Sequence, residues 1–241
     1  MRPFQDAQKN FVQNCDFNQI IELYEFDREL RLLCLDAIDR LEVALRAAII
    51  DALTVRKGPH IHILSKEFGY FAYFVNFWNQ SWKAKSIAID HYKKKYQDPK
   101  EPPLWVLLES LTYGTLSTFF ADLTITNRKF IARAFSLHET ILVSWLRSLT
   151  VLRNKCAHHN RVWNGVYNAN TPIIPRNLAA YVSAPNKFHF QAVMLYTLLK
   201  HIEPSLGNHW RTSLQGLFAR YANVIDLSAM GFIANDPFWH L

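Results

Sequence analysis

The fold is decided by the stretch "DRELRLLCLDAIDRLEVALRAAIIDA", residues 27–52. Its apolar positions recur at steps of three and four residues, which is the spacing of one face of an α-helix: Leu30, Cys34, Ile38, Leu41, Leu45, Ala48 and Ala52. Asp27 is a residue type that caps helix N-termini, and Gly58-Pro59 is a breaker pair. The stretch therefore predicts a long helix that begins at Asp27, ends before Gly58 and buries one face.

The same period predicts helices along most of the remaining chain. They cover residues 78–96, 102–123 ("PPLWVLLESLTYGTLSTFFADL"), 128–135, 138–160, 187–202 and 208–223, with a proline-containing loop at 162–185. Pro103 suits a first helical turn, and Gly114 marks either a bend or a tight packing point. The sequence has no internal repeat, no low-complexity tract and no break in composition. We therefore predict one all-α domain over residues 1–241, folded as a helical bundle.

The composition is that of a chain with a large apolar core. Hydrophobic residues make up 50% of the 241 positions and aromatic residues 14%. The three cysteines, Cys15, Cys34 and Cys156, form no CxxC pair, which favours reduced thiols over a disulfide framework. The N-terminal "MRPFQDAQKNF" lacks the apolar segment of a signal peptide. No run reaches the roughly 20 apolar residues of a membrane span. These features predict a soluble cytoplasmic protein with no membrane partner.

Positive charge is concentrated in one segment. The chain has 27 Lys and Arg against 20 Asp and Glu, a formal net charge of +7. Residues 140–202 contain no acid and seven basic residues: Arg147, Arg153, Lys155, Arg161, Arg176, Lys187 and Lys200. The remainder balances, since 27 − 7 leaves 20 basic residues against 20 acidic ones. We therefore expect a polyanion to bind this segment; a solvated basic face is the alternative.

This segment contains the stretch "LRNKCAHHNRVWN", residues 152–164, at the end of a predicted helix. Asn154 and His158 are four residues apart and share a helix face, and Arg153 precedes His158 by about 7.5 Å along the axis. A guanidinium can hold two phosphate oxygens, an imidazole exchanges a proton near neutral pH, and an amide can orient either group. The set suits phosphodiester chemistry.

The absence of carboxylates around this stretch narrows that chemistry. Two-metal nucleases hold their ions with Asp and Glu, and residues 140–202 have neither. Cleavage by this site would then need no metal, which favours RNA, whose 2′-hydroxyl can serve as nucleophile. The alternative is a polar helix end at which His158 and His159 satisfy the last backbone carbonyls.

Three blocks carry a resemblance to a known family. "DRLEVALRAAI" (39–49), "HYKKKYQDPKEPPLWVLLESLTYGTLS" (91–117) and "SWLRSLTVLRNKCAHHNRVWN" (144–164) resemble, in the expected order, the Abi-like abortive-infection proteins, the AbiD/AbiF group of bacterial phage-defence factors. That group belongs to the HEPN superfamily, whose ribonuclease motif is Arg, a polar residue, three to five further residues and then His. The family usually carries a Tyr-rich segment before the first long helix, so the resemblance also implies that an upstream part is missing here.

The resemblance implies a HEPN-type bundle that acts as a metal-independent endoribonuclease toxin in phage defence, with no cofactor. Arg153, Asn154 and His158 match the motif and would be catalytic. Lys155, His159, Asn160 and Arg161 would position RNA, and Trp163 would either stack on a base or pack. HEPN relatives pair their motif helices across a two-fold axis, so a homodimer is expected. A small non-coding RNA is the expected antitoxin. The rival interpretations are a non-catalytic RNA-binding or scaffold protein, and a structural module whose motif only caps a helix.

Other patterns favour structural roles. His60 and His62 have a zinc-ligand spacing but no third ligand nearby in the sequence. Lys93, Lys94 and Lys95 beside Tyr92 and Tyr96 would contact nucleic acid or form a solvated helix end. The aromatic run at 68–82 favours core or interface packing over base stacking. Glu42 would pair with Arg46 one turn along the helix, or else hold Arg153.

Overall fold

A computed structural model gives the conformation of residues 16–55, 57–83, 86–168 and 171–241, with the backbone alone at 80–83. These residues contain no β-strand, only one isolated bridge between Phe68 and Leu123. The all-α prediction is therefore confirmed. The helices are α1 Phe17–Ile50, α2 Phe71–Lys83, α3 Ile87–Lys95, α4 Leu104–Glu109, α5 Tyr113–Asp122, α6 Ile125–Arg133, α7 Glu139–Ala157, α8 Phe188–Ile202 and α9 Pro204–Arg220. Cys15 lies outside the described residues.

Helix α1 begins ten residues earlier than predicted. Asp16 is the cap, and its carboxylate accepts a hydrogen bond from the Asn18 backbone N–H at 3.0 Å. The prediction of Asp27 as the cap is wrong, because the apolar face continues back through the buried Phe26 and Leu23. Asp27 lies inside the helix and is itself buried. A π-helical turn, Asp51–Val55, follows α1, so the chain leaves the helix before Gly58 as predicted.

Two predicted helices are each split in two. The range 78–96 contains the end of α2 and all of α3, with Ser86 in an extended conformation before α3. The range 102–123 is broken at residues 110–112, where the Thr112 hydroxyl accepts from the Thr115 N–H at 3.3 Å and caps α5. Gly114 is a packing point and not a bend, since a Cβ there would lie 3.2 Å from the Thr150 methyl group of α7.

Shorter boundary shifts have local causes. Thr124 caps α6 through the Asn127 N–H at 3.4 Å, so that helix spans Ile125–Arg133 and ends before the predicted Phe135. Pro204 is the first residue of α9 and not only the stop of α8, because proline fits a first helical turn, where its missing N–H is not needed. Helix α9 accordingly starts four residues before the predicted position.

Helix α8 lies in the middle of the hydrophobic core. Every residue from Phe188 to Leu199 is buried, as expected of a helix that is covered on all sides. It packs against α1, α7 and α9, and α1 also packs against α4, α5, α7 and α9. The residues before and after the motif thus share one core. Among the described residues, no helix is long and apolar enough to cross a membrane.

The last residues of the chain cover the start of α8 through aromatic rings and a buried histidine. The rings of Phe238 and Trp239 lie 4.9 Å apart, and Phe232 stacks on Trp239 at 5.6 Å. His189 of α8 shares a 3.0 Å hydrogen bond with the Asp236 carboxylate, and its other ring nitrogen lies 3.4 Å from the Ser183 hydroxyl. Both ring nitrogens of this buried histidine therefore have partners.

Candidate functional site

Helix α7 presents one buried and one exposed face. The predicted buried stripe is confirmed at Trp145, Leu149, Leu152 and Cys156, while Ile141 is half-buried. The indole N–H of Trp145 donates to the Ile173 carbonyl at 2.8 Å and fixes the following loop on the helix. Arg147, Asn154 and His158, at intervals of seven and four residues, lie on the opposite, exposed face.

The C-terminal end of α7 is closed by a Schellman turn. The His159 N–H donates to the Cys156 carbonyl at 3.3 Å, and the Asn160 N–H donates to the Lys155 carbonyl at 2.8 Å. His159 has φ = 55°, the left-handed conformation that glycine usually supplies at this position. The last carbonyls are therefore satisfied by backbone N–H groups and not by the imidazoles of His158 and His159, which are both exposed.

The three predicted catalytic residues lie in the last turns and at the C-cap of α7. Asn154 and His158 are exposed one turn apart, and the His158 N–H donates to the Asn154 carbonyl at 3.0 Å. Arg153 follows Leu149 by one turn and is half-buried at the edge of the apolar face. Its guanidinium lies 3.5 Å from the Asn154 side-chain oxygen. Within the described part of the chain, no carboxylate forms an ion pair with Arg153 or His158.

The chain after the turn is tied to α1 by a buried carboxylate. One oxygen of Asp27 accepts hydrogen bonds from the Val162 and Trp163 N–H groups, at 2.9 and 2.8 Å. The other oxygen pairs with Arg31, and both side chains are buried. Gly165 is required next, since a Cβ there would lie 2.8 Å from the Val162 carbonyl. Sequence reasoning missed Asp27 as a determinant of the site.

The predicted RNA-positioning residues divide into two groups. His159, Asn160 and Arg161 are exposed around the turn, next to His158. Lys155 is half-buried with its ammonium 5.4 Å from the centre of the Tyr167 ring. Trp163 is 3% exposed, which favours the packing alternative, since a buried indole offers no face to a base.

Two cysteine thiols, which are potential nucleophiles, also lie near this end of α7. Cys156 and Cys34 of α1 are both buried, and both are free thiols as predicted. Burial, followed by the neighbouring thiol of Cys156, raises the pKa of Cys34 well above its usual value. A buried thiol of raised pKa is a poor nucleophile.

The part of the chain that contains these residues matches a known protein family. Residues 1–164 match the family described as Abi-like protein. The chain belongs to the Abi-like protein family. The matched residues end at Asn164, so they include Arg153, Asn154 and His158. No curated protein and no solved structure matches this Abi-like protein.

The alternative role of Glu42 in this Abi-like protein is wrong. Glu42 pairs with Arg46, as the spacing of four residues also predicted, and Arg46 donates to the Leu108 and Leu111 carbonyls at 3.1 and 2.8 Å. Arg46 therefore joins α1 to the end of α4. Arg153 receives no contact from Glu42 among the described residues.

His60 and His62 of the Abi-like protein lie with ring centres 6.2 Å apart. In the described ranges, no group of three or more His, Cys, Asp or Glu side chains is placed to hold a metal ion. His62 is buried against Phe77 and Trp78. Burial, and then the charge of His60, lower its pKa to about 4. His62 is thus a neutral core residue at physiological pH.

The lysine-tyrosine stretch on α3 borders an open groove. Tyr92 and Tyr96 have ring centres 4.8 Å apart, and the Tyr92 hydroxyl donates to the Pro99 carbonyl at 3.1 Å. Burial raises the pKa of Tyr92 above its usual value. Of the aromatic run, Phe68 and Phe77 are buried against Phe119, whereas Phe71 is exposed. The packing interpretation therefore holds for the buried members of the run.

Proposed function

We propose that this protein is an abortive-infection factor that cleaves RNA without a metal ion, through Arg153, Asn154 and His158. Membership in the Abi-like family supports a role in abortive infection. The resemblance of "LRNKCAHHNRVWN" to the HEPN ribonuclease motif supports the activity, and a HEPN-type bundle is part of the same proposal.

One observation carries the proposal: within the described residues no acidic side chain forms an ion pair with Arg153 or His158, although the motif stands on a rigid base. The Schellman turn satisfies the backbone carbonyls, and Asp27 fixes the following residues. The side chains of Arg153, Asn154 and His158 are therefore not needed to end the helix. Preorganised donors without an acidic partner in the protein are suited to a charged ligand.

In the proposed reaction, the RNA 2′-hydroxyl loses its proton to an imidazole and its oxygen attacks the adjacent phosphorus. The bond from phosphorus to the 5′-oxygen then breaks, and that oxygen receives a proton. The products are a 2′,3′-cyclic phosphate and a 5′-hydroxyl. His158 exchanges a proton with the reacting oxygens, Arg153 stabilises charge on the phosphorane, and Asn154 orients the imidazole or the phosphate.

A second copy of the chain completes the site in this proposal. One motif provides one imidazole, whereas the reaction takes a proton from one oxygen and gives one to another. A homodimer with two-fold symmetry, the commonest arrangement of soluble oligomers, would bring two His158 side chains to one cleft. The same basic surface would accept an inhibitory small RNA, because a structured RNA presents the same phosphates as the substrate.

The test is cleavage of total RNA by purified protein in the presence of EDTA, followed by mapping of the new ends. The wild type should produce 5′-hydroxyl and 2′,3′-cyclic phosphate ends, and Arg153→Ala and His158→Ala should produce none above background. His209→Ala is the matched control, because His209 is an exposed histidine on α9.

Four results would contradict the proposal or part of it. Products with 5′-phosphates, or a requirement for Mg²⁺, would assign the cleavage to different chemistry. RNA binding without cleavage by the wild type would favour the non-catalytic RNA-binding interpretation. Light scattering that gives a monomer with full activity at micromolar concentration would remove the dimer from the proposal.

A further inference from the structure

A polar cavity lies on the exposed face of α7, toward the N-terminus from the motif. Its volume is about 280 Å³, and its lining consists of Thr140, Val143, Ser144, Arg147, Thr171 and Ile173. The Ser144 hydroxyl accepts from the Ile173 N–H at 2.9 Å, and Trp145 binds the Ile173 carbonyl. The wall opposite the helix is therefore fixed in place by hydrogen bonds.

Arg147 supplies the positive charge of this cavity. It is exposed, and within the described residues it forms no ion pair with an acid. The hydroxyls of Ser144 and Thr171 add hydrogen-bond donors around it, while the Thr140 hydroxyl lies within hydrogen-bond distance of the His138 ring, at 2.9 Å. A guanidinium surrounded by hydroxyl groups is a suitable site for a phosphate.

Two carboxylates are close to this cavity: Asp122 is close enough to interact with Arg147, and Glu139 is next to Thr140 in the sequence. Asp122 of α5 is half-buried; burial raises its pKa above the usual value, and the charges of Arg147 and Arg128 act in the opposite direction. Glu139, adjacent to Thr140, is buried and contacts the His138 ring at 2.9 Å. Asp122 is therefore the acid that would compete with a phosphate for Arg147.

The cavity and the motif share one face of α7. Arg147 precedes Asn154 by two turns and His158 by three, which places it about 10.5 and 16.5 Å from them along the axis. A strand held at His158 thus passes Arg147 after a few nucleotides. The intervening residue on this face, Val151, is half-buried and uncharged, so no acid of α7 lies between the two positions.

We propose that the cavity around Arg147 binds a backbone phosphate of the RNA strand whose scissile phosphate lies at His158. This inference rests on the proposed function, because it takes RNA as the ligand. The RNA strand would then run along α7, and it would need a minimum length. A strand shorter than the gap between Arg147 and His158 cannot occupy both positions.

The experiment measures the affinity of a short, labelled, single-stranded 2′-O-methyl RNA, which lacks the attacking hydroxyl, over a range of salt concentrations. Arg147→Ala should weaken binding about tenfold and reduce the slope of log affinity against log salt by about 0.7, the value for one phosphate contact with a single strand. Asp122→Asn should tighten binding. Arg40→Ala, which removes an exposed arginine of α1 outside the acid-free segment, should change neither quantity.

Length dependence gives a second readout. With a 2′-O-methyl dinucleotide, Arg147→Ala and wild type should bind equally. An unchanged salt slope in Arg147→Ala, or an equal loss of affinity for the dinucleotide, would overturn the inference. Loss of the dimer in Arg147→Ala would also overturn it and assign this face to protein contact. Cleavage and end mapping test the ribonuclease separately, so an inactive wild type that still shows the Arg147 salt effect refutes only the catalysis.

Discussion

His158 and His189 are two histidines in the same protein with opposite environments. His189 is fully buried at the start of α8, and Asp236 and Ser183 lie beside its two ring nitrogens. His158 is exposed at the end of α7, and within the described residues its ring has no hydrogen-bond partner. The ring nitrogens of His189 have partners within the fold, whereas the ring of His158 is free to contact a ligand.

Replacing His158 by alanine should reduce activity and not stability, and replacing His189 by alanine should do the reverse. These are the largest effects that we expect. His158→Ala should lower RNA cleavage by about 10²–10⁴-fold, the usual contribution of a general acid or base, and leave thermal stability nearly unchanged. His189→Ala should cost about 2–5 kcal/mol of unfolding free energy, because it opens a cavity in the core and removes one hydrogen bond of the buried Asp236, which keeps those from the Ile233 and Phe238 N–H groups. Activity per folded molecule should be retained in His189→Ala, measured at a temperature where the variant is folded.

The comparison fails if His158→Ala is destabilised as strongly as His189→Ala while its activity follows the folded fraction. His158 would then be a structural residue. The milder His189→Asn serves if His189→Ala does not fold.

Asp27→Ala should lower both the stability of the protein and its RNA cleavage. The change removes the acceptor of the Val162 and Trp163 N–H groups and leaves Arg31 buried without its partner. Breaking a buried ion pair in this way costs about 3–5 kcal/mol. Chemical denaturation should show that loss, and RNA cleavage should fall as well, since the chain after His159 is released.

The matched control is Asp36→Ala, which removes the exposed partner of Arg40 on the same helix. An exposed ion pair contributes at most about 1 kcal/mol. Equal stabilities for the Asp27 and Asp36 variants would contradict the assigned role of Asp27.

The stability of the protein should also depend on pH, because His62 is buried. Its pKa of about 4 in the folded protein lies below the value of about 6.5 expected in the unfolded chain. Between these values the unfolded state binds a proton that the folded state does not, so stability falls as the pH drops from about 6.5 to 4. The loss should reach about 3 kcal/mol, and burial of His189, which also lowers the pKa of that residue, acts in the same direction.

Denaturation curves at pH 7 and pH 4 check this prediction. In His62→Leu the difference between the two pH values should shrink, whereas His209→Leu, on the exposed side of α9, should keep the wild-type difference. Equal pH dependence in both variants would show that His62 is protonated in the folded protein.

His159→Gly should produce the smallest change and the only gain in stability. A left-handed conformation costs an ordinary residue about 1–2 kcal/mol, and glycine offsets part of that gain through its freedom in the unfolded chain. A net stabilisation of about 0.5–1 kcal/mol is expected by thermal denaturation. Weaker RNA binding in the stabilised variant would support the proposed contact of His159 with RNA, and unchanged binding would remove His159 from the RNA-positioning set.

How far the sequence predicts the structure depends on whether a signal is local. The bounds of α8 are nearly correct, because an apolar run ends at Glu203-Pro204. The exposed face that carries Asn154 and His158 is also predicted, since it follows from spacing alone. The break at residues 110–112 was missed, because the apolar pattern continues across it and only Thr112 marks the new start.

The parts of the site that could not be predicted depend on distant contacts. Asp27 binds backbone N–H groups 135 and 136 residues away, and a backbone donor leaves no trace in residue type. The helix end at His159 lacks the glycine that would have marked it. Burial of Trp163 follows from both features, so stacking and packing could not be separated from the sequence.

The burial of α8 on every side determines how much of the chain this protein needs in order to fold. The residues shared with the family end at Asn164, yet α8 and α9 fill the space against α1 and α7. A product cut after Asn164 would expose the apolar faces of both helices to water and would be an aggregation-prone fragment. The stretch that matches the family is therefore shorter than the stretch that fills the core.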